Sequence, residues 1–344
     1  MRKNLDIAPM PLISLSELPP PPLGKSGWPW TECCPFTEPT RSPCNDELQK
    51  ISIVTPSFNQ AGFIEETIRS VLLQGYRNLE YIIIDGNSSD ESVEIIRKYE
   101  RWITFWVSEP DRGQSHAINK GFMRASGHVL GWLNSDDFFL PGALQSIANS
   151  GKSNPDAVGW VGATQAIDLQ GKPLFMLKPE LPPIGENIID WGGGRGAFLP
   201  QPSCFFSAQA FRDCRGLNED LFFAMDLDLW LRLMELGRFV IGNQVLASYR
   251  VYPEAKSYRD EIGQLVELVQ IVANAKRHEI ARRWLERWLE MNIKRVNPPL
   301  SLEGEIIESG KMQTTSRRIS ARIFRGIRNT LRLGRITDTK NLFL

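Results

Sequence analysis

Tyr81-Ile82-Ile83-Ile84 is an unbroken apolar run that stops abruptly at Asp85-Gly86, and no other feature limits the fold of this chain as tightly. A strand with one wet face alternates apolar and polar residues, whereas a strand without alternation is covered on both faces, as in a parallel sheet between helices. The flanking chain fits that picture. Ile51 to Thr55 reads as a strand, and Ala61 to Leu73 as a helix with Phe63, Ile64, Ile68, Val71 and Leu72 at helical spacing. Leu79 to Asp85 is the buried strand, followed by a helix from Asp90 to Tyr99, a strand near Ile103 to Val107 and a helix from Gln114 to Arg124. A strand from His128 to Leu133 and a helix opening after Pro141 continue the alternation, which predicts a parallel or mixed α/β sheet. Beyond Gly151 the order loosens, with strands expected near Val158 to Ile167, Ser203 to Phe206 and Gln244 to Val251, and a helix from Leu227 to Leu236.

The two ends differ in texture. Residues 1–50 contain Pro19-Pro20-Pro21-Pro22 and Trp28-Pro29-Trp30 with few periodic apolar positions, so they are expected to form a leader or docking arm without a core of its own. Residues 256–310 form a helical extension, with Ile262 to Met291 reading as one long helix or a helical pair. Residues 311–344 form a basic tail, in which Ile319, Ile323, Ile327 and Leu331 make one apolar stripe flanked by arginine. That pattern suits a helix lying on an anionic membrane surface through 311–335, or a solvated basic segment.

Charge and cysteine content exclude several classes. Lys and Arg number 40 against 40 Asp and Glu, which argues against an extended nucleic-acid surface and makes nucleic acid an unexpected partner. Five cysteines at irregular spacing suggest neither a disulfide framework nor a structural zinc site. With three histidines, a bound metal is expected to be a hard cation on oxygen ligands. No apolar run is long enough to span a bilayer and Met1 to Leu15 lacks a signal-peptide core, so a cytoplasmic location is expected.

Ligands of an open α/β sheet gather at the carboxyl ends of its strands, so carboxylates just past strands take priority. The first is Asp85 in Asp85-Gly86-Asn87-Ser88-Ser89-Asp90, placed either to contact a nucleotide or to hold the backbone of its own turn. The second is Asn134-Ser135-Asp136-Asp137, where adjacent carboxylates repel each other unless a cation arrives; capping of the next helix is the alternative. The third is Met225-Asp226-Leu227-Asp228 at the start of an amphipathic helix. The helix dipole favours acids there, and a general base is the functional alternative. Asp226 and Asp228 point about 200° apart, so at most one faces a cleft. His116 is expected to cap or to lie on the surface, and Trp191 to Gly196 to be a mobile loop. Gln201-Pro202-Ser203 either faces an acceptor or packs at a strand edge.

Together these pieces resemble the family 2 glycosyltransferases, which have the nucleotide-sugar-binding fold called GT-A. The resemblance rests on Ser52 to Asn59, Ile84 to Asp90, Asp111 to Ser115 with Ala117 to Gly121, Leu133 to Asp137, and Asp226 to Leu233, in the family's order over residues 51–255. It implies a GT-A fold, a mixed, mostly parallel sheet flanked by helices, to which the helical C-terminal extension read above is added outside the resemblance. It further implies inverting transfer of a sugar from a UDP- or GDP-sugar to a saccharide or lipid-linked hydroxyl, in surface polysaccharide or glycolipid synthesis at the inner membrane face. Carried onto this chain, it makes Pro56 and Asn59 the shapers of the first nucleotide loop and Asp85 a base contact. Lys120, Asn134, Ser135 and Arg250 join the donor site, and Asp136 is the ligand of Mg²⁺ or Mn²⁺. Asp226 is the catalytic carboxylate, with Asp228 as second choice. Three positions depart from the family pattern: Asn134 opens the Asp-x-Asp motif, Met225 replaces an acid, and Tyr252 stands in the histidine place of Tyr-Arg-x-His, which leaves Arg250 or Lys256 to carry phosphate charge. The alternatives are a nucleotidyltransferase, which would need a basic glycine-rich first loop, and a non-catalytic nucleotide-sugar-binding scaffold.

Overall fold

The computed structural model describes residues 13–34, 49–180, 199–256 and 260–274. The expectations for Trp191 to Gly196, for helix beyond residue 274 and for the basic segment 311–335 lie outside the described residues. The chain divides into two compact units, Met1–Arg259 and Asp260–Leu344; the described part of the second is helix α7 (Glu261–Asn274).

The first unit is built on one nine-stranded sheet. Its first half alternates as the hydrophobic pattern requires: β1 (Ile51–Ser57), α1 (Ile64–Leu72), β2 (Leu79–Asp85), α2 (Ser92–Tyr99), β3 (Phe105–Ser108), α3 (Gln114–Arg124) and β4 (Val129–Trp132). β3, β2, β1 and β4 lie side by side and parallel. β1, β2 and β4 are buried along their whole length, which is why their sequences show no alternation. Register brings Ser57 level with Asp85 and Asp85 level with Ser108, so three chain exits share the carboxyl edge of the sheet. α3 lies close on β1 because Gly121 has no side chain; a Cβ there would come within 2.5 Å of Val54.

The second half turns antiparallel. β5 (Phe138–Phe139) and α4 (Ala143–Ser153) precede β6 (Gly159–Ile167) and β7 (Pro173–Leu177); β8 (Cys204–Ser207), α5 (Ala208–Asp213), α6 (Met225–Leu236) and β9 (Phe239–Arg250) follow. The order continues from β4 through β8, β6 and β9 to β5. β6 pairs with β8 over Gly159–Val161 and with β7 over Thr164–Ile167, while β9 runs parallel along its other side. β5, β7 and α5 were not anticipated from sequence, and β9 begins five residues before the expected Gln244.

The N-terminal segment has no core of its own, yet it is not detached. Ile13 and Leu18 belong to the main hydrophobic core, with Leu15 and Trp28 packed against it. The segment lies over α1, whose Arg69 is buried beneath it.

Candidate active site

The acidic turn Asn134–Asp137 leaves β4 at the carboxyl edge and is held from two sides. From α1, Thr67 Oγ1 donates to the carbonyls of Ser135 (3.0 Å) and Asp137 (2.6 Å). From β9, the Arg250 guanidinium pairs with Glu66 of α1 at 2.8 Å and donates to the Asp136 carbonyl, with the rings of Phe63 and Phe138 about it. Arg250 was expected at the donor phosphate; in the structure its side chain is 5% exposed and holds Glu66 and the Asp136 carbonyl, so it braces the turn.

The two carboxyls differ in surroundings. Asp136 Oδ2 accepts from the Tyr252 hydroxyl at 2.8 Å, so the tyrosine in the family's histidine place contacts the residue expected to hold a metal. Burial raises the Asp136 carboxyl above the ordinary range despite that bond. Asp137 is buried deeper and accepts from the Arg250 amide and the Asn134 side chain, both at 3.3 Å. Burial, reinforced by the Asp136 charge, pushes it well up. Such a pair gains from an incoming cation. Among the described residues no group of three His, Cys, Asp or Glu side chains is placed to enclose a metal. The donor set therefore fits a hard divalent ion held through one carboxylate and completed by substrate oxygens, and does not fit an all-protein cage.

A chain of amides runs across the mouth of the turn. Lys256 Nζ donates to Gln114 Oε1 at 2.6 Å, Gln114 Nε2 to Asn134 Oδ1 at 2.7 Å, and Asn134 Nδ2 to Gln201 Oε1 at 3.0 Å. Gln201 in turn donates to the Trp132 carbonyl at 2.8 Å. Lys256 also lies 4.0 Å from Met225 Sδ and 4.3 Å from the centre of the exposed Phe222 ring, so it joins the acidic turn to the start of α6. Trp132 and Trp230, stacked at 5.3 Å, tie the same helix to β4.

On α6 the two aspartates separate as their angular spacing requires. Asp226 is half-buried on the first turn; its Oδ1 accepts from the Leu227 amide, and its charge is felt by the buried Cys204 thiol, which burial chiefly drives up. Asp228 is instead clasped by Arg232 at 2.6 and 3.0 Å, and Arg232 also donates to the carbonyls of Cys214 and Gly216. The second-choice base is thus a fastener for the turn ahead of the helix.

The nucleotide side also departs from expectation at one point. Asp85 is fully buried, with both oxygens taken by the Ser88 amide and hydroxyl and the Ser108 hydroxyl at 2.6–2.9 Å. It holds the backbone of its own turn, one of the two readings the spacing allowed. Pro56 is buried in β1 opposite Ile84. Asn59 adopts φ 53° and accepts from the Ser89 amide at 2.9 Å, tying the first loop to the second. Gly86 is needed beside them, since a Cβ would fall 2.7 Å from Asp111 Oδ2. Lys120 pairs with Glu109 at 2.6 Å, whose amide bonds the Asp85 carbonyl. Ser135 is buried within the turn, and His116 Nδ1 caps the Arg112 amide.

Sequence reading missed Glu66 and Thr67, whose polarity on an otherwise buried helix face was the available signal, and gave Gln114 no role.

The model of the family described as "Glycosyl transferase family 2" matches residues 52–215. A glycosyltransferase of Mycobacterium tuberculosis is 30% identical over 191 residues, 53% of this chain and 68% of that protein. One of Rickettsia typhi is 27% identical over 230 residues, 63% of this chain and 68% of that one. Among solved structures, Staphylococcus aureus TarS residues 1–349 with UDP-GlcNAc superposes with TM-score 0.55 at 15% identity, covering 74% of this chain and 77% of that one. The mannosyltransferase PcManGT of Pyrobaculum calidifontis, with GDP-Man and Mn²⁺, gives 0.52 at 16% identity, covering 83% and 85%.

Proposed function

The chain belongs to glycosyl transferase family 2 and is a glycosyltransferase, and from that premise we propose an inverting transfer from a UDP- or GDP-sugar to an acceptor hydroxyl, with Asp226 as base. The observation that carries this reading is the bonded path from Lys256 through Gln114 and Asn134 to the acidic turn, which sets a cation, two amides and paired carboxyls opposite the start of α6.

In the proposed reaction the Asp226 carboxylate takes the acceptor hydroxyl proton as that oxygen forms its bond to the anomeric carbon. The bond from the anomeric carbon to the phosphate oxygen breaks on the opposite face, so configuration inverts and the nucleoside diphosphate departs. Lys256 supplies positive charge to the diphosphate, a role for which Arg250 is not available. Asn134 and Gln114 are placed to hold donor hydroxyls, and binding both reactants at the carboxyl edge supplies the entropic part of the acceleration. Asp136, oriented by Tyr252, would hold a Mg²⁺ or Mn²⁺ ion that neutralises leaving-group charge when bound. Donors of these two kinds are present in the TarS and PcManGT structures. A saccharide or lipid-linked acceptor in surface polysaccharide synthesis fits the same reading, with the domain over 51–255 doing the chemistry.

Comparison of two neighbouring aspartates tests the assignment of the base. Asp226→Asn is expected to lower turnover by at least about a hundredfold with the fold intact, while Asp228→Asn costs mainly stability. Equal activity losses at the two positions would remove Asp226 from its role. Nucleotide-sugar binding by a protein that releases no nucleoside diphosphate with any acceptor would favour the scaffold alternative.

A further inference from the structure

The matched family region begins at residue 52, yet a segment preceding it reaches the strand that follows the acidic turn. Arg69 on α1 is 1% exposed, and among the described residues no carboxylate pairs with it directly. Its guanidinium is satisfied instead by three backbone carbonyls of the N-terminal segment: Nε to Pro29 at 3.0 Å, and the two terminal nitrogens to Pro19 at 2.8 Å and Trp30 at 2.9 Å. The Tyr99 hydroxyl, bonded onward to Glu65, takes a further donor. A buried cation with these partners removed would be stranded, so the segment is not an optional cover.

The segment then touches the site's support. Trp28 Nε1 donates to the Phe139 carbonyl at 2.7 Å, two residues past Asp137. The Phe139 amide donates to Ser70 Oγ at 3.1 Å, and β9 pairs with β5 at Ala247. Cys34 Sγ accepts from the Gly142 amide at 3.2 Å, holding the next turn. β5 ends the strand order, and the segment covers the carbonyl that this terminal strand would otherwise leave open.

We propose that residues 13–34 are a working strap of the active site: Arg69 fastens the strap, and Trp28, through Phe139, sets where the turn Asn134–Asp137 presents its carboxyls. Trp28 and Arg69 are positioning residues. The inference rests on the transferase reading only where nucleotide binding serves as a readout.

The test uses the full chain, with Trp28→Phe to keep the ring and lose the N–H, and Leu23→Ala at an exposed strap position as control. Hydrogen exchange of the peptide amides over 134–140 is expected to quicken about fivefold in Trp28→Phe, the worth of one backbone-directed hydrogen bond. UDP or GDP, titrated with Mn²⁺ by calorimetry, is expected to bind about fivefold more weakly, with Leu23→Ala unchanged in both. A dissociation constant reports only folded molecules, so simple destabilisation leaves it unmoved. Unchanged exchange, or faster exchange with unchanged nucleotide affinity, overturns the proposal. Arg69→Lys, which keeps the charge and loses the fork, replaces Trp28→Phe if that variant fails to fold, with the same expectations. Wild-type protein that binds neither nucleotide defeats the donor reading instead, and the exchange result alone then decides whether the strap holds the turn.

Discussion

Asp136 and Asp137 bind protons more tightly in the folded chain than in the unfolded one, since burial raises both carboxyls. Their burial therefore costs nothing below the unfolded carboxylate value of about 4, and costs progressively more as pH rises through the folded values. Asp136→Asn, which can still accept from Tyr252, is expected to melt with wild-type protein near pH 4 and several degrees higher at pH 7, while losing activity. Calorimetry across that range checks it, and a gap independent of pH would contradict the charge-burial account. Legibility at this scale was uneven. That only one of Asp226 and Asp228 could face a cleft follows from helical angles, and Arg232 four residues after Asp228 was a readable sign of which one was spoken for. Asp85 was harder, because its partner Ser108 lies on another strand and meets it only through sheet register. The pairing of Arg250 was hidden for a similar reason, as Glu66 is far away in sequence.

α1 is the element on which the site is mounted. Its Thr67 and Ser70, with Gln74 just past its end, bond the backbone of 135–144, Glu66 holds Arg250, and Arg69 holds the N-terminal segment. Thr67→Val keeps the shape but removes both bonds to the acidic turn, so a loss of about 1–2 kcal/mol in urea unfolding is expected, with turnover lowered more than donor KM is raised. Unaltered stability would show that the turn stands without α1. Strands β1, β2 and β4 and helix α3 were legible because apolar runs and helical spacing both signal burial. β5 has two residues and α5 six, too short for any period, and β7 is exposed on both faces and so shows no alternation. The buried role of the proline-rich segment was invisible for a different reason: its hold on Arg69 runs through backbone carbonyls, which every sequence has.

Across the sheet, a parallel half supplies the loops proposed to bind nucleotide, and a mixed half brings α6 and the end of β9 to the acidic turn. The parallel half follows from local pattern; the return of β9 beside both β6 and β5 depends on long-range pairing and could not be read. Among the described residues no helix is long and apolar enough to cross a membrane, and the proposal of membrane contact rests on the basic sequence of the tail alone. Deleting residues 311–344 is expected to abolish sedimentation with vesicles containing anionic lipid while leaving donor hydrolysis intact; undiminished sedimentation would place the contact elsewhere. The central claim, a nucleotide-sugar transferase acting at the edge of β4, is tested most directly by titrating a panel of UDP- and GDP-sugars into the purified protein with and without Mn²⁺. Thermal midpoint and nucleoside diphosphate release are followed together. One donor should raise the midpoint and release its diphosphate slowly, with release lost in Asp136→Ala. No stabilisation by any donor, or release undiminished in Asp136→Ala, would contradict it.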